Sequence, residues 1–153
     1  MYYLRMFMIH LDFTGIELKL RASEGTAQVY DPVRRIWVNL TPEEHVRQHI
    51  IYLLLARHYP ASLMAVEKKI IFGRLTKRFD IVVYNRNHVP WMLIECKAPE
   101  VAITENTLHQ LLAYQKNLQC KYWVLTNGHQ TFCANAHSVE NMGWLDALPT
   151  YNS

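Results

Sequence analysis

The stretch KRFDIVVYNRNHVPWMLIECKAPE, residues 77–100, decides the fold. It contains two apolar, β-forming runs joined by a polar Arg-Asn-His segment, the pattern of two strands and a turn. Asp80 stands inside the first run, and Glu95-Cys96-Lys97 closes the second. Apolar strands rarely hold two carboxylates and an ammonium. Side chains alternate along a strand, so Glu95 and Lys97 share one face and Ile94 and Cys96 the other. With the hairpin centred between Asn87 and His88, Asp80 lies opposite Glu95, Val82 opposite Leu93 and Tyr84 opposite Trp91. Directly opposed Cβ atoms stand about 4.5–5.5 Å apart. Two carboxylates at that range repel by roughly 3 kcal/mol at an effective dielectric near 20. Such a pair needs a cation between its members or a proton on one of them. Lys97 meets part of that need, and a hard divalent cation of the Mg²⁺ kind meets it better. The opposing reading makes Asp80 an edge-strand charge that deters aggregation and Glu95 with Lys97 a surface ion pair. The spacing alone leaves both open.

Outward from this stretch, TPEEHVRQHIIYLLLARHYP opens with Thr41 as N-cap, Pro42 at the first helical position and Glu44 completing a capping box. Val46, Ile50, Leu53 and Leu54, widened by Ile51 and Leu55, form the buried stripe of a helix that ends at Tyr59-Pro60. GTAQVYDPVRRIWVNL reads as a hairpin turning at Asp31-Pro32, and LMAVEKKIIFG as a strand closed by Gly73. TENTLHQLLAYQKNL reads as a second helix, capped by Thr104 with Glu105 in its first turn. KYWVLTNGHQTFCA is a strand, an Asn-Gly tight turn and a further strand. The N-terminal MYYLRMFMIHLDF reads as a strand or an extension, and the last twenty residues carry little pattern. The order β-β-α-β-β-β-α-β-β implies an α/β fold with a mixed central sheet flanked by helices.

The chain has 153 residues, half of them apolar, and a formal net charge of +3. That is the size of one domain, residues 1–153, with a core of its own. No apolar run reaches membrane-spanning length. The three cysteines, Cys96, Cys120 and Cys133, form no disulfide or zinc spacing and point to a reducing cytoplasm. His45 and His49 are spaced for a metal but lack a third ligand, and read as surface histidines. The mild positive charge permits a nucleic-acid partner without demanding one.

The set Asp80 … Glu95-Cys96-Lys97 resembles the core of PD-(D/E)XK nucleases. Gln110 and Tyr114, four residues apart in HQLLAY, match the Gln-x-x-x-Tyr element that follows the catalytic strand in several branches of that superfamily. Together with DPVRRIWVNLTPEEHVRQH, KRFDIVVYN, LIECKAP and VLTNG, the chain is similar over about residues 28–133 to short bacterial proteins built on the N-terminal nuclease domain of type I restriction enzyme R subunits. The resemblance implies a restriction-endonuclease-like core and a Mg²⁺-dependent endonuclease, with Mn²⁺ as substitute, that hydrolyses phosphodiester bonds of DNA. It implies that Asp80 and Glu95 hold the metal and that Glu44 joins them from the first core helix, set against a capping role alone, with Glu67 a second candidate. Lys97 would act in the transition state, and Gln110 would position water or phosphate. Arg74, Lys77, Arg78 and Tyr114 are the candidate nucleic-acid contacts. Phe79 departs from the superfamily's proline. The chain has no G-x-x-x-x-G-K-[ST] loop and so is no ATP-driven motor; the resemblance implies DNA, and other subunits of a restriction or helicase complex, as partners. Double-strand cutting by a domain with one site implies a homodimer. The rival reading is a non-catalytic nucleic-acid-binding or assembly module on the same fold.

Overall fold

In the computed structural model, which describes residues 5–136 and 142–152, the strands form two sheets. Strands β1 (Leu20–Ser23), β2 (Thr26–Asp31) and β3 (Ile36–Asn39) make a three-stranded antiparallel sheet. A six-stranded sheet follows in chain order: β4 (Met64–Phe72), β5 (Leu75–Tyr84), β6 (Pro90–Cys96), β7 (Tyr122–Thr126), β8 (Thr131–Ala136) and β9 (Met142–Trp144). The β6–β7 pair is parallel and the other pairs are antiparallel, so the sheet is mixed. A parallel pair needs a crossover. Helix α2 (Glu105–Leu112) supplies it, ending in a 3-10 turn at Ala113–Lys116.

Helix α1 (Pro42–Ala56) covers one face of this sheet, packing Val46, Ile50, Leu53 and Leu54 on Ile81, Val83, Met92 and Ile94. On the other face, Leu108, Leu111 and Leu112 of α2 pack on Phe79, Val82, Leu93, Trp123 and Leu125. Cover on both sides explains why β6 reads as a near-continuous apolar run: from Trp91 to Cys96 every residue is buried. Among the described residues no helix is long and apolar enough to cross a membrane. The three cysteines are buried and free.

The structure departs from the sequence expectations in several places. β1 and β9 were not foreseen, and the β2–β3 hairpin belongs to a sheet of its own. The N-terminal segment contributes an isolated bridge, Ile9 to Thr131, and buries Ile9 and Leu11. Tyr84 pairs with Pro90 rather than Trp91, because the register shifts between Val83 and Tyr84. There the Asn85 carboxamide accepts from the N–H groups of Asn87 and Val89 and draws the turn tight. The Asn127-Gly128 turn is a four-residue loop rather than a two-residue one, closed by Asn127 Oδ1 accepting from His129 and Gln130. The second helix turns 3-10 at Ala113, so Gln110 is α-helical and Tyr114 is not.

One irregularity bears directly on the charged stretch. The β4–β5 ladder runs Val66 to Ile81 and resumes at Lys68 to Phe79, stepping over Glu67 and Asp80. Glu67 has φ 52°, a left-handed conformation that costs a non-glycine residue energy. Phe79 and Val82 both lie in the α2-side core, whereas Ile81 and Val83 lie in the α1-side core. The in-out alternation therefore slips by one residue at Asp80.

A carboxylate-arginine site beside an open cleft

The pairs Ile81–Ile94 and Val82–Leu93 extend to place Asp80 beside Glu95, the register the sequence implies. Each residue grips the other's strand: Asp80 N–H donates to Glu95 Oε1 at 3.1 Å, and Cys96 N–H donates to Asp80 Oδ2 at 2.8 Å. The two carboxylates do not stand side by side on one face, however. Asp80 is held from α1, where Arg47 donates to Oδ1 through Nη2 at 2.7 Å and Nε at 3.2 Å. Glu95 faces the α2 side, its Oε2 held by Lys77 Nζ at 3.2 Å. The slip in alternation at Asp80 is the reason. Pleat geometry carried through β5 without a break puts both on one side; the break turns Asp80 toward the helix.

Glu95 opens into a cleft of about 400 Å³ that is also lined by Lys77, Lys97, Gln110 and Tyr114. Lys97 lies just past the end of β6, where its main-chain N–H donates to Thr126 O at 2.8 Å. Its ammonium pairs with no carboxylate among the described residues. Lys77 also lies over the rings of Phe79 and Tyr114, at 5.2 and 5.8 Å from their centroids. Arg74, in the turn between β4 and β5, and Arg78 are exposed and line no part of this cleft.

Glu44 makes only half of the expected capping box. Its N–H donates to Thr41 Oγ1, but the Thr41 N–H donates to Asn39 O at 3.1 Å. The Glu44 carboxylate binds instead to Arg34 Nη2 at 2.8 Å and to Arg47 Nη1. Glu44 thus faces Asp80 across a shared arginine. Arg34 is seated on the fully buried Asp31 at 2.7 Å, and Gln48 donates to the same carboxylate at 2.8 Å. Glu67 joins from β4, 3.2 Å from Arg34 and 3.7 Å from Arg47. Neither arginine was singled out from the sequence. The available signal was Arg47 at i+4 from Glu43 and i+3 from Glu44, positions where helical charges meet.

Residues 42–149 match the family described as Type I restriction enzyme R protein N terminus (HSDR_N), a span that holds α1, α2 and the whole six-stranded sheet. The chain belongs to that family. As a restriction enzyme R N-terminal domain it is nuclease-like in type, and the carboxylate site lies within the matched span. A crystal structure of a candidate nuclease belonging to DUF820 from Anabaena variabilis is similar over 83% of this chain and 80% of that one, with 11% identity and a TM-score of 0.49. A likeness at that level says nothing of shared chemistry. Among curated proteins none matches significantly.

The electrostatics of this R N-terminal domain's site follow from burial. Burial pushes the Glu95 carboxyl above its ordinary range, Asp80 pushes it the same way, and Lys77 acts against both. Burial alone would loosen the proton on Arg47, but its bond to Asp80 and the charges of Asp80, Glu44 and Glu67 outweigh this and hold it above its usual value. For a hard divalent ion the donor chemistry fits, since Asp80, Glu95 and Glu44 offer only oxygen. Yet among the described residues no three acidic, histidine or cysteine side chains already converge as a metal centre. Arg47 stands between Glu44 and Asp80, so an ion that used both would have to displace it.

The raised carboxyl gives a direct test. A carboxyl whose folded value lies above its unfolded one contributes stability that is full below the ordinary carboxylate range and lost as pH rises through the folded value. Glu95→Gln, which cannot ionise but can still accept from Asp80 N–H, is therefore expected to melt above the parent at neutral pH without divalent ions. The gap should close below about pH 4. Equal melting temperatures at neutral pH would mean that Lys77 offsets the whole cost.

Proposed function

We propose that this domain is a metal-dependent nuclease that hydrolyses phosphodiester bonds, with DNA as its substrate. The observation that carries this reading is the gathering of Glu95, Lys97 and Gln110 around one open cleft, with Asp80 interlocked behind Glu95. Family membership supports it. Asp80 and Glu95 would hold Mg²⁺ or Mn²⁺ once Asp80 leaves Arg47 and turns toward the cleft, and Glu44 would be freed to join by the same step; a bound ion supplies an acidified water and charge next to the phosphate. Lys97 brings an ammonium not taken up by any described carboxylate to the oxygen on which negative charge builds. Gln110, on the wall of the cleft, orients water or a phosphate oxygen. Lys77 leads the backbone into the cleft, Arg74 and Arg78 meet it along the β4–β5 hairpin, and Tyr114 offers a ring edge. Further subunits of a restriction or helicase complex, or a second copy, would bring the second strand within reach. Buried, unpaired cysteines suit a reducing cytoplasm.

One observation favours a second reading, a non-catalytic binding or assembly module: Arg34 and Arg47 already neutralise Glu44 and Asp80. Plasmid relaxation separates the two. The purified protein is expected to convert supercoiled plasmid to nicked or linear forms with Mn²⁺ and to stop on addition of chelator. A folded protein that binds DNA but leaves plasmid, linear duplex and RNA intact with either ion would make it the binding module.

A further inference from the structure

The β1–β3 sheet lies before residue 42, outside the span that defines the family. One of its faces is turned inward over its middle, with Leu20 and Ile36 exposed at its margins. Val29 and Asp31 are fully buried there, and Asp31 binds Gln48 of α1. Strand alternation puts Lys19, Arg21, Gln28, Tyr30, Trp37 and Asn39 together on the opposite, outer face. These are two cations, two aromatic rings and two carboxamides, and no strand residue on that face is acidic.

The groups are ordered. Tyr30 and Trp37 are cross-strand partners with ring centroids 5.4 Å apart. The Arg21 guanidinium lies 4.3 Å from the centre of the Trp37 ring, and the Lys19 ammonium lies over both rings at 4.8 and 5.6 Å. Arg21 Nε donates to Gln28 at 2.8 Å, and Gln28 donates to Asn39 at 3.2 Å, which lines the polar groups across the three strands. Arg21 itself is exposed and on an edge strand.

We propose that this outer face is a docking surface for single-stranded nucleic acid, with Arg21 and Trp37 at its centre. The charge complements a phosphate backbone. The Arg21 plane, backed by Trp37, offers a platform on which an unstacked base lies, since guanidinium and aromatic planes are the usual seats for splayed bases. Gln28 and Asn39 are placed to meet base edges. A duplex keeps its base faces stacked inside and cannot use such a platform, so the single strand is the occupant. The surface shares no residue with the carboxylate cleft and does not depend on cleavage there.

The test is binding without turnover. Fluorescence anisotropy of a labelled oligothymidylate is followed at low salt in chelator, with Arg21→Ala, Trp37→Leu and Lys19→Ala beside the parent and Lys77→Ala as a cleft control. Loss of a stacking contact is expected to weaken binding by about 5- to 100-fold in Arg21→Ala and Trp37→Leu. Lys19→Ala is expected to lower the log–log salt slope by about 0.7. Lys77→Ala reports any share the cleft takes in binding and is expected to weaken it less than Arg21→Ala does. Arg21→Ala stands at an exposed edge and keeps the fold even if Trp37→Leu does not. Parental affinity in Arg21→Ala at an unchanged melting temperature overturns the proposal. So does a loss of binding confined to Lys77→Ala, which would put the strand in the cleft, or a parent that binds no oligonucleotide and uses this face for another protein.

Discussion

Lys97→Ala is expected to slow single-turnover cleavage at saturating Mn²⁺ by about 10²–10³-fold, the usual loss when one contact to developing charge is deleted. It should still melt where the parent melts. The structure separates these two effects. The Lys97 ammonium pairs with no carboxylate among the described residues, and Glu95, its neighbour in the cleft, is already matched by Lys77. Truncation therefore orphans no buried charge, and the strand end stays fixed by the main-chain bond from Lys97 N–H to Thr126. DNA affinity should change little, because one of several cations around the cleft is lost. Cleavage at the parent's rate would reduce Lys97 to a solvated lysine on the cleft wall.

Arg47→Met is expected to cost about 3–5 kcal/mol, the scale on which breaking a buried ion pair by removing one partner destabilises a fold. Domains hold only about 5–15 kcal/mol in all, so this is the more damaging of the two substitutions. Arg47 is 7% exposed and joins Asp80, Glu43 and Glu44 through three nitrogens. Methionine keeps the length of the side chain and its packing beside α1 while leaving Asp80 and Glu44 without their common cation. Urea denaturation gives the loss directly. Repeating it with Mn²⁺ asks what fills the gap: a divalent ion that takes the place of the guanidinium should restore more stability to Arg47→Met than it adds to the parent. A variant as stable as the parent would mean that Arg34 and the Cys96 N–H suffice for these carboxylates. A variant destabilised but indifferent to Mn²⁺ would leave the arginine network structural and weigh against metal use at Glu44.

The parts of the fold that depend on local pattern were legible in the sequence. The apolar stripe and proline start of α1, the two strands around the Arg-Asn-His turn and the Asp80–Glu95 register all follow from periodicities a few residues long. The gathering of Glu95, Lys97 and Gln110 was legible only through resemblance, since Gln110 lies on a different element. Arg34 and Arg47 were hidden for a related reason. Arg47 meets Asp80 from 33 positions away, and Arg34 meets Glu67 across the same separation. A helix written VRQH looks like one with a polar exposed side until the strand bearing Asp80 is laid against it. The short strands β1 and β9 escaped because four and three residues carry too little alternation to stand out. The turn of Asp80 toward α1 was hidden because it needs a backbone irregularity, and Glu67 is not a residue that announces a left-handed conformation.

That irregularity divides β5 into two lengths that keep one register against β4 but are held differently on their other side. The length ahead of Asp80 takes its register from β4 alone, whereas the length from Ile81 onward is clamped between β4 and β6. Asp80 sits at the joint. A one-residue insertion in the leading length would slide Lys77 and Phe79 out of place and leave Ile81 to Val83 where they are. Asp80 is thus placed where the clamped length begins, so the hairpin bearing Arg74, Lys77 and Arg78 can vary in reach while the carboxylate stays fixed to Arg47 and Cys96.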